Sequence, residues 1–215
     1  GADPHTYEPK PQQMVAISRA KIYFAVGIEF EEAKLSKITA TNPDLKVIHT
    51  DHGIEKLAMA AHHHDDHAEA HHEADHDHKE GEHQGEAAHD EDHHEHTGLD
   101  PHIWLSPPLV KIQARTILAA LQEADPAHRM VYEANFQEFA ARIDRLNAEL
   151  KNKFAGKTGL QFMVFHPAWG YFAHAYGLKQ VPIEIEGKDP KPAQLKELIQ
   201  HARENGIKVV FVQPQ

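Results

Sequence analysis

The 215-residue chain contains no cysteine. This excludes disulfides, thiolate metal sites and cysteine nucleophiles together, so any transition metal must be held by imidazole nitrogen and carboxylate oxygen. Long apolar runs are missing as well: nothing approaches the roughly 18–20 residues a helix needs to cross a bilayer. There is no basic stripe and no aromatic platform, which leaves nucleic-acid binding without support. No secretory leader is visible. The chain opens at Gly1-Ala2-Asp3-Pro4 without an initiating Met and stops in the apolar run Val209-Val210-Phe211-Val212, a pattern that predicts a piece incomplete at both termini.

What is abundant is histidine, 21 residues of it, and acidity, with a net charge of -11. The acidity is local. Residues 62–96 hold 13 Asp or Glu against one Lys, a net of -12, while the remainder sets 20 acids against 21 bases and is near neutral. The same segment carries 13 of the histidines, as in His62-His63-His64-Asp65-Asp66-His67, and no Val, Ile, Leu, Phe, Tyr or Trp. Such a composition offers nothing to offset ordering entropy, which predicts disorder without metal. Its imidazoles and carboxylates together predict several weak, overlapping zinc sites, each weaker than a preformed one.

Outside that segment, short apolar runs alternate with helical periodicity. Residues 11–21 read as a helix, 22–26 as a buried strand, 31–41 as a helix and 46–49 as a strand. After residue 99, a helix is predicted over 109–123, starting at Pro107-Pro108 and ending before Asp125-Pro126. A longer one follows over 127–154, its apolar stripe Phe136, Phe139, Ile143, Leu146 and Leu150 reading as core. At 1.5 Å per residue it extends roughly 40 Å. Then come a strand at 161–165, a helix at 167–176, a strand at 180–185, a helix at 192–205 and a strand at 209–212. The fold class is therefore α/β: two lobes with parallel sheets joined by a long backbone helix. The predicted organisation is a lobe at 1–126 interrupted by the 62–96 segment, a linking helix at 127–155 and a second lobe at 156–215.

Three histidines stand out by context. His5 sits in Asp3-Pro4-His5, His102 in Asp100-Pro101-His102, and His166 follows the strand Phe162-Met163-Val164-Phe165 and precedes Pro167. The carboxyl ends of strands are where open α/β sheets place ligands. The neighbouring prolines stiffen the backbone, and Asp3 and Asp100 are placed to accept the second imidazole N–H and fix the tautomer. Other candidates read more plainly. His49 and His52 read as loop caps, and His128, His174 and His201 as surface residues. Trp104 and Trp169 read as packing that dries a cleft, and Glu184 and Glu186 as solvated loop residues with the capacity to offer an oxygen ligand.

Three segments resemble the metal-site segments of ZnuA-type solute-binding proteins, the zinc and manganese branch of ABC importer binding proteins. They are Gly1-Ala2-Asp3-Pro4-His5-Thr6-Tyr7-Glu8-Pro9, Asp100-Pro101-His102-Ile103-Trp104-Leu105-Ser106-Pro107 and Phe165-His166-Pro167-Ala168-Trp169-Gly170-Tyr171-Phe172. The resemblance implies His5, His102 and His166 as metal ligands in a cleft between the lobes. It also implies a fourth, carboxylate ligand near the C-terminus of the second lobe, which is expected to lie past residue 215 or to be replaced by water. A His-rich insertion between the first two ligands is characteristic of the zinc members. His at the third position suits Zn²⁺ better than the harder Mn²⁺. The implied function is high-affinity zinc capture outside the cytoplasm, periplasmic or lipid-anchored, by a monomer that delivers Zn²⁺ to an ABC transporter permease without catalysing a reaction. The alternatives are a zinc buffering or storage protein, in which residues 62–96 are the functional part, or a metal-dependent adhesin of the same fold. A zinc hydrolase fits less well, because there is no His-Glu-x-x-His helix and no general base beside a ligand.

Overall fold

The structure, a computed structural model, describes residues 9–59, 98–184 and 188–212. His5, the 62–96 segment and Glu186 lie outside the described residues.

The first lobe begins with helix α1 (Pro11–Ser18), strand β1 (Ile22–Ala25), helix α2 (Glu29–Thr41) and strand β2 (Lys46–His49). β1 and β2 pair in parallel, Ile22 against Lys46 through Ala25 against His49. A buried carboxylate shapes the turn after β1. Glu31 accepts hydrogen bonds from the backbone N–H groups of Val26, Gly27 and Ile28, the shortest 2.7 Å from Gly27. It also accepts the Tyr23 hydroxyl at 3.2 Å. Burial and the Glu31 charge push the Tyr23 phenol up to about 12. At Gly27, with φ of +80°, an added Cβ would stand 2.5 Å from Lys56 Nζ and 2.6 Å from Asp51 Oδ2, so the turn and the loop after β2 meet in direct contact.

Chain order resumes with a 3₁₀ turn (Ile103–Leu105) and helix α3 (Pro107–Ala124), whose first two positions are prolines preset for a helix start. α3 is joined to the first sheet by a buried relay: Gln113 donates to the Thr50 hydroxyl at 3.1 Å, and Thr50 donates to the Ala25 carbonyl at 2.8 Å. Helix α4 (Arg129–Phe154) runs back along α3, braced by Lys111 on Asp144 at 2.7 Å. The stripe expected to be core along α4 is split. Phe136, Ile143 and Leu150 are half-buried and Ala140 is buried, but Phe139 and Leu146 are 41% and 44% exposed. α3 along its length and α5 near its C-terminal end cover a seam of i, i+4 and i+7 positions rather than the wider arc the periodicity suggests.

The second lobe is a three-stranded parallel sheet in the order β4-β3-β5, from β3 (Gln161–Val164), β4 (Lys179–Pro182) and β5 (Val210–Phe211). Helix α5 (Gly170–Tyr176) crosses from β3 to β4, and α6 (Pro192–Glu204) leads to β5. Met163, Val181 and Leu198 form the buried cluster that fixes α6 on the sheet. His201, expected on the surface, is half-buried instead and reaches Gln161 Oε1 at 2.7 Å, tying α6 to β3. The α/β class with two parallel sheets and a long intervening helix thus stands as the alternation of apolar runs predicts. Among the described residues, no helix is long and apolar enough to cross a membrane.

Candidate metal centre

The segment Asp100-Pro101-His102 forms a closed local unit. Asp100 Oδ1 accepts the His102 backbone N–H at 2.9 Å and the ring Nδ1–H at 2.7 Å. Proline between them fixes φ and donates no hydrogen bond of its own. The two side chains are 2% and 4% exposed, so this carboxylate orients the imidazole in a nearly dry environment. Trp104 lies edge-on to the His102 ring, with ring centres 5.3 Å apart, and shields it. Trp169 packs against Phe172 instead, at 5.5 Å.

His166 is placed by the second sheet. β3 pairs with β4 in a register that sets Val164 opposite Pro182. The ladder continues past the strand ends, with Ile183 N–H on Val164 O at 2.9 Å and Glu184 N–H on Phe165 O at 3.0 Å. Two residues beyond the last strand pair, His166 therefore faces Glu184, and Glu184 Oε1 sits 2.6 Å from His166 Nδ1. Glu184 is not the solvated loop residue expected from the sequence. It is 12% exposed and serves His166 as Asp100 serves His102. It acts on the ring nitrogen opposite Nε2, so Oε1 is used for orientation rather than offered as an oxygen ligand.

The two imidazoles converge. His102 Nε2 and His166 Nε2 are 3.2 Å apart, and the ring centres are separated by 5.0 Å with an interplanar angle of 73°. Each Nδ1 is turned to a carboxylate acceptor, which leaves the Nε2 lone pair as the ring's outward function. Two such lone pairs at this distance repel unless a proton or a cation lies between them. Imidazoles sharing a tetrahedral zinc ion, with Zn–N of about 2.0–2.1 Å, hold their nitrogens about 3.3–3.4 Å apart and their ring centres about 5.2 Å apart. The observed pair matches this spacing. Among the described residues, no group of three or more ligating side chains gathers at one point. The third histidine singled out in the sequence, His5, lies outside them.

Two further residues, both inside the Phe165–Phe172 segment but given no role from the sequence, enter the site. The Tyr171 hydroxyl donates to the Asp100 carbonyl at 2.7 Å and accepts the Leu57 N–H at 3.0 Å. Gly170 leaves so little room that an added Cβ would stand 2.7 Å from Asp100 Oδ2. Leu57 belongs to a short antiparallel pairing that brackets residues 60–97: Asp100 N–H donates to Leu57 O at 2.8 Å, Met59 N–H to Gly98 O at 2.9 Å, and Ala58 bridges Leu99. Among the described residues, His49 and His128 lie elsewhere: His49 is 3.9 Å from Asp51, and His128 is exposed and bound to Asp125 at 2.7 Å.

Comparison with known proteins gives the family of the chain. The ZnuA family, described as the periplasmic component A of the zinc-uptake complex, matches residues 1–215. A putative metal-binding protein of Treponema pallidum is 30% identical over 214 residues, covering 98% of this chain and 61% of its own length. The high-affinity zinc uptake system protein ZnuA of Bacillus subtilis is 36% identical over 115 residues, 53% of this chain and 36% of that protein. A crystal structure of a ZnuA deletion mutant with zinc bound superposes with a TM-score of 0.76 at 41% identity, covering 98% of this chain and 68% of the other. The chain thus spans about two thirds or less of the length of these relatives.

Proposed function

We propose a zinc-capture function from one premise: the chain belongs to the ZnuA family, the periplasmic component A of zinc-uptake complexes. Zn²⁺ is the cargo. It is held in the cleft by His102 and His166 through Nε2, with His5 as the third imidazole. The Asp3-Pro4-His5 segment repeats the Asp-Pro-His arrangement of residues 100–102, in which the carboxylate and the imidazole two residues later close on each other. A carboxylate or water completes four-coordination.

The observation that carries this reading is the pair of Nε2 atoms 3.2 Å apart, each ring locked from behind by its own carboxylate. Two rings held this way are already spaced for a shared cation, which takes the place of the proton between them. Three imidazole nitrogens in the set favour zinc over the harder manganese. Delivery follows from the family's role: the loaded protein docks outside the cytoplasm on the membrane permease of an ABC importer, and no bond is made or broken in the cargo.

The test is a zinc titration of the full chain against a competing chelator. His166→Ala is expected to abolish the tightest equivalent while leaving weaker equivalents that belong to residues 62–96. Retention of the tight equivalent in His166→Ala would sink the reading. Loss of the tight equivalent on removal of 62–96 alone would transfer the function to that segment and favour storage over transport.

A further inference from the structure

We infer that Tyr171 is a positioning residue that sets the separation of His102 and His166, and that Gly170 is its necessary neighbour. This rests on the zinc-capture reading and adds to it a device for holding the two rings in register before metal arrives.

The two rings belong to different lobes and lie 64 residues apart in the chain. A much shorter route joins them through α5. From His166 the backbone turns tightly, with Ala168 N–H on His166 O at 2.8 Å and Trp169 N–H on Gln180 Oε1 at 2.6 Å. Gly170 and Tyr171 follow at once. The Tyr171 hydroxyl, on a side chain 4% exposed, then crosses to the Asp100 carbonyl at 2.7 Å. Asp100 in turn holds the His102 ring at 2.7 Å. The path His166, Tyr171, Asp100, His102 is therefore closed by two short hydrogen bonds and by the convergence of the two Nε2 atoms.

Asp100 is gripped on both sides. Its main chain is held by Tyr171 and by the pairing with Leu57, whose N–H also binds the Tyr171 hydroxyl. Its carboxylate is seated against residue 170, where only a hydrogen atom fits: a methyl group would intrude to 2.7 Å from Oδ2. A displaced carboxylate rotates the imidazole it orients. A phenol is suited to this role because it donates and accepts at one atom, tying the Asp100 carbonyl to the Leu57 N–H across the antiparallel pairing.

The experiment compares Tyr171→Phe with Tyr176→Phe in the full chain. Tyr176 lies on the same helix, is also buried, and its hydroxyl donates to Asn147 of α4 at 3.1 Å, away from the rings. Zinc affinity is measured by chelator competition, the ligand field by the visible spectrum of the Co²⁺ form, and stability by melting of the metal-free protein. Tyr171→Phe is expected to weaken zinc binding about 10–100-fold, the range found for partners behind metal ligands, and to shift the cobalt bands. Tyr176→Phe is expected to lower the melting temperature while leaving affinity and spectrum unchanged. Gly170→Ala, which keeps the hydroxyl, is expected to move affinity and spectrum in the same direction as Tyr171→Phe. Wild-type affinity and spectrum in Tyr171→Phe, or equal losses in both tyrosine variants, would overturn the inference while leaving zinc capture intact. A wild-type chain without a tight zinc equivalent would overturn both.

Discussion

The two histidine–carboxylate pairs differ in how they are built. Asp100 and His102 are two residues apart, and their side chains are 2% and 4% exposed. Glu184 and His166 are eighteen residues apart, joined only through sheet register, and are 12% and 20% exposed. One pair is a property of a local turn and is sealed from water. The other is a property of tertiary structure and sits at the edge of solvent. In a low-dielectric setting an unmatched polar group is expensive, whereas at a wet edge water replaces the lost partner. The buried pair should therefore carry both stability and geometry, and the half-buried pair mainly geometry.

The largest expected effect breaks the buried pair. Asp100→Ala strips the acceptor from two buried donors of His102 and is expected to cost about 2–3 kcal/mol in urea unfolding of the metal-free protein. The same variant should weaken tight zinc binding about 100-fold, the upper end for such partners. Next comes Glu184→Gln, which should weaken zinc binding about tenfold with a loss of under about 1 kcal/mol in unfolding, because water reaches the site. Equal stability losses in the two variants would erase the contrast between the pairs.

A smaller effect tests how far the rigid surroundings of the buried pair extend. Asp51 and Lys56 pair at 2.6 Å in the loop that leads to Leu57. Burial pulls the Asp51 carboxyl upward, but the hydrogen bond and charge of Lys56 outweigh it and hold the group below its ordinary value of 3.8. A carboxyl depressed in the folded state contributes stability that is present above the unfolded value and is lost as pH falls through the folded one. Asp51→Asn is expected to lower the melting temperature by about 2–4 °C at neutral pH, as about 1 kcal/mol does in a chain of this size. Below about pH 4 the gap between variant and wild type should narrow. A gap that is constant across that range would show the pair to be stabilising through packing alone.

Much of this site is legible in the amino-acid sequence alone, and the part that is not has a common cause. Asp100 and His102 are legible because their interaction closes within three residues around a proline. His166 is legible because an apolar run followed by His-Pro marks a strand end. Glu184 is not, since its partner is set by the offset between β3 and β4, and register is invisible in a single sequence. Tyr171 and Gly170 are hidden for a related reason: their roles depend on which backbone atoms of residues 57 and 100 meet α5. The fold class follows from alternating apolar runs, which need no long-range information. The α4 stripe misleads because periodicity reports which face is apolar, not how much of it a neighbour covers, so Phe139 and Leu146 remain in water.

The antiparallel pairing of residues 57–59 with 98–100 has a consequence for the chain it brackets. It works as a clasp: whatever connects its two arms, the clasp presents the same ends to the site. Closure entropy rises only logarithmically with connector length, about 0.6 kcal/mol per doubling. Residues between the arms can therefore be gained, lost or exchanged at small thermodynamic cost.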